Sequence, residues 1–164
     1  MKYYFLILIG FSTLSFSQKK PIDRQNCILD KNTKIATSKK IKMDANAKNV
    51  FGADLEIASL SPLTGFYRDG YCSTGSNDSG IHVVAAIMTN EFLQYSKKQG
   101  NDLISPNLQY GFPGLKAGDV WCLCAKRWKE AFEANVAPPV ILNATNKWAL
   151  DYISMENLTS KALK

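Results

Sequence analysis

Apolar residues along the chain change period several times, and each change marks an element. "IHVVAAIM" (81–88) is a short apolar run rich in β-branched residues, the pattern of a buried strand. Thr89 follows as an N-cap, and Phe92, Leu93 and Ser96 then fall on one face of a helix from about Asn90 to Gln99 that Gly100 stops. "DVWCLCA" predicts a second strand, and "KRWKEAFEAN" a helix with Trp128, Ala131, Phe132 and Asn135 at three-to-four spacing. "PPVILNA" predicts a third strand, Thr145 a cap for "NKWALDYI", and Ser154 the start of a last helix through about Leu163. A strand, a helix and a strand in so short a span suggest a right-handed βαβ unit. The fold class expected is α+β: a small mixed sheet containing that unit, helices packed on it, and irregular glycine-rich hairpins and turns on its N-terminal side.

Two stretches lack such periodicity. In "TGFYRDGYCSTGSNDSGIH" (64–82) Gly65, Gly70, Gly75 and Gly80 fall five apart, which predicts successive turns. Residues 101–118 hold two prolines and three glycines and read as a long loop, either a functional lid or a cover for the end of the sheet. Near the start of the compact part, Phe51–Gly52 in "NVFGADLEIAS" is a turn signal.

The first seventeen residues have one lysine, then an apolar run through Phe16, with Ser15 and Ser17 at the small positions before a cut ahead of Gln18. That is the pattern of a secretory signal peptide, and its apolar run is shorter than the roughly 20 residues of a spanning helix. Residues 18–48 form a polar, lysine-rich arm, and 49–164 a single compact domain. The expectation is an exported protein, periplasmic or secreted, with no transmembrane segment after cleavage.

The net charge of +6 changes little once it is located. Residues 1–48 carry a balance of +7 and residues 49–164 one of −1, so the basic character belongs to leader and arm. The domain shows no basic patch with interleaved aromatics, and nucleic acid is not an expected partner. Dinucleotide, P-loop, hydrolase-elbow and zincin motifs are lacking, so no motif requires a cofactor.

Cys27, Cys72, Cys122 and Cys124 are the cysteines and His82 the only histidine. In an oxidising compartment an even count permits two disulfides in any of three pairings. Cys122 and Cys124 share a strand face, so with Cys72 and His82 they are disulfide or metal candidates, although C-x-C is not the usual zinc spacing. Proton transfer near neutrality would fall to His82 or a perturbed carboxylate. His82 opens its strand while Cys124 closes another. Parallel strands would separate them by about 16 Å, so a Cys124–His82 pair requires antiparallel neighbours. Cys72 is less constrained, lying in the turns that lead into His82. The catalytic candidates are therefore His82, Asp69 and Cys72. Arg68, Asp78 and Asp102, in glycine-rich loops, are the candidates for holding a small ligand.

"NVFGADLE", "PLTGFYRDGYCSTG", "D-x-G-x-H-V-V", "GNDL", "FPGLKAGDVWCLCAKRWKEA" and "APPVILNAT", in this order, resemble the bacterial family catalogued as domain of unknown function 2237. The resemblance runs from about Asn49 to Leu158 and itself implies no activity. Typical members of that family have Cys where this chain has Ala58, Tyr71 and Ala85, and His where it has Asn146. Cys72, Cys122, Cys124 and His82 match. The resemblance therefore implies that any larger Cys/His cluster is reduced here, favouring a disulfide such as Cys72 with Cys122 or Cys124.

Three functional expectations follow. One is a small-ligand-binding domain with possible catalysis at a Cys/His/Asp/Arg cleft, its small molecule and any partner protein unnamed. The others are a non-catalytic structural or interaction module with a disulfide-stapled core, and a metal site through Cys72, Cys122, Cys124 and His82.

Overall fold

The computed structural model describes residues 47–163; the signal-peptide expectation and nearly all of the arm lie outside them. The chain forms β1 (His82–Ile87), α1 (Asn90–Lys98), β2 (Val120–Cys124), α2 (Ala125–Glu133) and α3 (Met155–Ser160), with short 3₁₀ turns at Leu108–Tyr110, Leu142–Ala144 and Lys147–Asp151. This is a small α+β fold. Among the described residues no helix is long and apolar enough to cross a membrane.

β1 and β2 pair antiparallel, with Ala85 opposite Cys122, Ala86 opposite Trp121 and Ile87 opposite Val120. A bulge between His82 and Val84 brings His82 opposite Cys124. β1 is the centre of the assembly because its other edge is also occupied. Ile87 donates to the Pro139 carbonyl, while Ile141 and Asn146 donate to the carbonyls of Ala85 and Val83, each at 2.9 Å. Backbone groups this deeply buried have no water to turn to, so the segment after α2 must satisfy them.

That segment differs from the expected third strand. Only Val140 bridges to Ala86, antiparallel, before the chain turns into the 3₁₀ stretch at Leu142–Ala144. Two prolines at 138 and 139 remove two ladder donors just where a strand would begin. Since both β2 and Val140 run antiparallel to β1, they share a direction across α2, with β1 between them.

The helices begin where their caps stand. Thr89 accepts from the Phe92 N–H at 3.1 Å and Ser154 from that of Asn157 at 3.2 Å. Thr145 does not cap; Asn146 does, accepting from the Trp148 N–H. The Thr145 hydroxyl is buried instead, taking the Ala85 N–H at 3.2 Å and donating to the Ile141 carbonyl at 2.9 Å. α1 buries Phe92, Leu93 and Ser96, and α2 buries Ala125, Arg127, Trp128 and Ala131. The main core joins these to Val83, Val84, Ala86, Trp121, Leu123 and Leu158. The Trp128 indole N–H, buried with its ring, donates to the Pro138 carbonyl at 3.0 Å.

The loop at 101–118 is organised locally. Asp102 ties its start together, a 3₁₀ turn covers Leu108–Tyr110, and Phe112 and Leu115 turn into the core. At the N-terminal end, Gly52 at φ +82° turns the chain so that Lys48 bridges to Asp54.

Candidate functional site

The turns of residues 64–82 are bound to β2 by two attachments. Thr64, fully buried, accepts the Cys122 N–H on its hydroxyl at 2.9 Å. Cys72 forms a disulfide with Cys122, across a sequence separation of 50. Between them, Gly65 and Gly70 adopt φ near +90°, a conformation that a Cβ penalises. The other two glycines of the series answer a different need, room. A Cβ on Gly75 would strike the Tyr67 hydroxyl, and one on Gly80 would strike the His82 imidazole.

The chain thus delivers Asp78, His82 and Cys124 into one line. Asp78 Oδ1 lies 2.6 Å from His82 Nδ1, and His82 Nε2 lies 3.2 Å from Cys124 Sγ. The Asp78 side chain is fully buried, the His82 side chain 22% exposed. Asp78 is itself held: Oδ2 accepts the His82 backbone N–H at 2.8 Å and the Thr74 hydroxyl at 3.0 Å. Burial works to raise the Asp78 pKa, but the hydrogen bond and charge of His82, with its backbone N–H and the Thr74 hydroxyl, prevail and hold it below the ordinary carboxylate value. An ionised Asp78 accepts a hydrogen bond from Nδ1–H, which leaves Nε2 as the acceptor facing the sulfur.

Three features fix the imidazole and the thiol. The Phe66 ring stacks near-parallel to the imidazole, centroids 6.0 Å apart, and Gly80 leaves the space that the imidazole fills. Ile81, a β-branched residue at φ +53°, is strained by its left-handed backbone, at a cost of order 1–3 kcal/mol. Its carbonyl accepts from both Val83 and Ala125, so the same residue ties His82 to the start of α2. Cys124 is the N-cap position of α2, whose first turn carries no acidic side chain.

The other sequence candidates fall elsewhere. Cys72 is corrected as a catalytic thiol: its sulfur is buried and bonded to Cys122, one of the two pairings that the resemblance implied. The same bond removes two of the four sulfur and nitrogen donors expected for a metal, and among the described residues no three ligating side chains converge. Asp69 Oδ1 accepts the Tyr71 N–H at 3.0 Å, while Oδ2 is buried with no hydrogen-bond partner. Asp102 serves its own loop, taking the N–H groups of Ile104 and Ser105, the Ser105 hydroxyl and the Lys97 ammonium. The Ser105 backbone bond is the largest cause of its strongly lowered pKa, with further help from Lys97. Arg68 places its guanidinium 4.8 Å above the Trp121 ring.

Sequence reasoning placed Cys124 among disulfide and metal candidates, made its pairing with His82 conditional on antiparallel strands, and did not select Phe66 or Thr74. The one available signal was the spacing Thr74, Asp78, His82, four residues apart each time, which becomes informative only once the turns are folded.

The model of a family described as uncharacterized proteins conserved in bacteria, domain of unknown function 2237, matches residues 48–162, and the chain belongs to that family. No curated protein matches the sequence significantly.

Proposed function

For this member of the family, we propose that Asp78, His82 and Cys124 form a thiol-based nucleophilic site acting on a small electrophile, in acyl transfer or hydrolysis. The observation that carries the reading is the unbroken line of contacts from Asp78 Oδ1 through the imidazole to Cys124 Sγ, at 2.6 and 3.2 Å. In the first step the Cys124 thiol gives its proton to His82 Nε2, and the sulfur forms a bond to the electrophilic carbon. The leaving group departs with its bonding electron pair and takes the proton from the imidazolium. Water, deprotonated by His82, then releases the acyl group and restores the thiol. Asp78 holds the imidazole orientation and stabilises the imidazolium without itself gaining a proton. The leader at residues 1–17 and the disulfide both favour an oxidising, extracytoplasmic setting for this chemistry.

The test is alkylation of Cys124 by iodoacetamide in a Cys27→Ser background, followed by peptide mass spectrometry. Native Cys124 should react faster at pH 7 than an ordinary thiol, and His82→Asn should slow it on the order of a hundredfold, as loss of a general base does. Equal rates in the two proteins would refute the site.

A second reading, a non-catalytic module, is favoured by one observation: Cys124 is only 4% exposed and Asp78 1%. On that reading the network locks the turns onto β2, and Cys124 resists alkylation until the protein unfolds.

A further inference from the structure

Arg68 is built into the fold in a way that its surroundings do not use. It ends the turn that begins at Gly65, with its N–H on the Gly65 carbonyl at 3.2 Å, and it adopts φ +55°, left-handed for a residue with a long side chain. The central carbon of its guanidinium sits 4.8 Å from the centroid of the Trp121 ring. Half-burial there pushes its pKa down, so the cation has lost water. Yet among the described residues no carboxylate pairs with it. Its chain neighbour Asp69 would be the simplest counter-ion, but that carboxylate is turned inward to the Tyr71 N–H and a buried position.

A guanidinium with one face on an aromatic ring keeps its N–H edge for a planar or tetrahedral oxyanion, which it grips with two parallel bonds. Trp121 and Cys124 stand three residues apart on β2, so their side chains leave opposite faces of the strand, and it is the turn carrying Arg68 that links the two. Phe66, two residues before Arg68, packs on His82, so a single turn reaches both the imidazole and Trp121.

We propose that Arg68 selects substrates bearing a carboxylate or phosphate group in addition to the carbon that Cys124 attacks. The proposal deepens the thiol reading and rests on it for the position of the electrophile.

Three iodoacetamides of equal length test it, each with a six-carbon chain ending in carboxylate, phosphate or methyl ester, in the Cys27→Ser background. At low ionic strength at least one anionic probe should alkylate Cys124 on the order of tenfold faster than the ester, as a charge-assisted pair allows. The carboxylate-to-phosphate ratio identifies which anion the site prefers. Arg68→Gln should remove the preference, bringing the anionic probes to the same rate as the ester, and Arg68→Gly, suited to the left-handed backbone, guards against misfolding. Equal rates for all three probes, or a preference that survives Arg68→Gln, would overturn the proposal.

Failure of the thiol reading looks different. In Cys124→Ser, the Trp121 indole resonance should still shift on adding six-carbon acetamido carboxylate or phosphate, and should stay fixed in Cys124→Ser/Arg68→Gln. That shift without Cys124 reactivity supports the Arg68 site and removes the nucleophile; no shift with either anion counts against Arg68 alone.

Discussion

The two faces of the β1–β2 pair are built from different materials. One face presents Val83, Val84, Ala86, Trp121 and Leu123 to α1, α2 and α3, and it is large, apolar and continuous. The other gathers Cys72, Ala85, Cys122 and Ala144, with Ala58 and Ile141 at its margin, side chains mostly too small to supply much buried area. Burial of apolar surface at about 25 cal/mol per Å² can hold the first face. The second is held by a covalent bond, by the Thr64 and Thr145 hydroxyls on backbone N–H groups, and by the Asp78 carboxylate. The contrast puts the network of Asp78, His82 and Cys124 on the side where packing does least, because polar groups can be kept there only if each finds a partner.

The comparison predicts unequal sensitivities. Trp128→Ala, which empties the centre of the large face and forfeits the Pro138 bond, should cost about 5 kcal/mol, read from the shift in urea midpoint. Replacing both Cys72 and Cys122 by alanine should cost about 4 kcal/mol, from the entropy of a loop of this length. It should also release the glycine-rich turns to fast amide exchange while β1 and α2 stay protected. If the whole domain loosened together, the two faces would not be independent supports.

Asp78→Asn should cost on the order of 2 kcal/mol at pH 6, since a buried charge-assisted pair is lost. Its pH signature is sharper than its size. Because the folded pKa of Asp78 is depressed, its contribution is present above the ordinary carboxylate range and is lost as pH falls through the folded value. Wild type should therefore lose stability on acidification below about pH 4, and Asp78→Asn should lose less over the same window. Identical acid slopes would remove Asp78 from the account. The smallest effect belongs to the exposed end of α1, where Thr89→Ala should cost about 1 kcal/mol with Cys124 alkylation unchanged.

How far the sequence carried the structure depends on the range of the forces at each place. The strand at β1, the helices at α1 and α2, and the caps at Thr89 and Ser154 follow from side-chain period and local hydrogen bonding, which act within a few residues. Thr145 was misplaced as a cap by one residue because its hydroxyl is claimed by β1, sixty residues away in sequence. Pro138 and Pro139 reduced the expected third strand to one bridging residue, Val140.

For the site, composition alone determined that any imidazole must be His82 and that any disulfide must draw on four cysteines. It also determined that turns 64–82 lead into His82. Which cysteine is stapled and which faces the imidazole was decided by the tertiary structure. Antiparallel pairing and one bulge bring His82 opposite Cys124, whereas a parallel pair would have held them about 16 Å apart. Strand direction and register are settled by the sum of many long-range contacts, and no local pattern of residues encodes that sum.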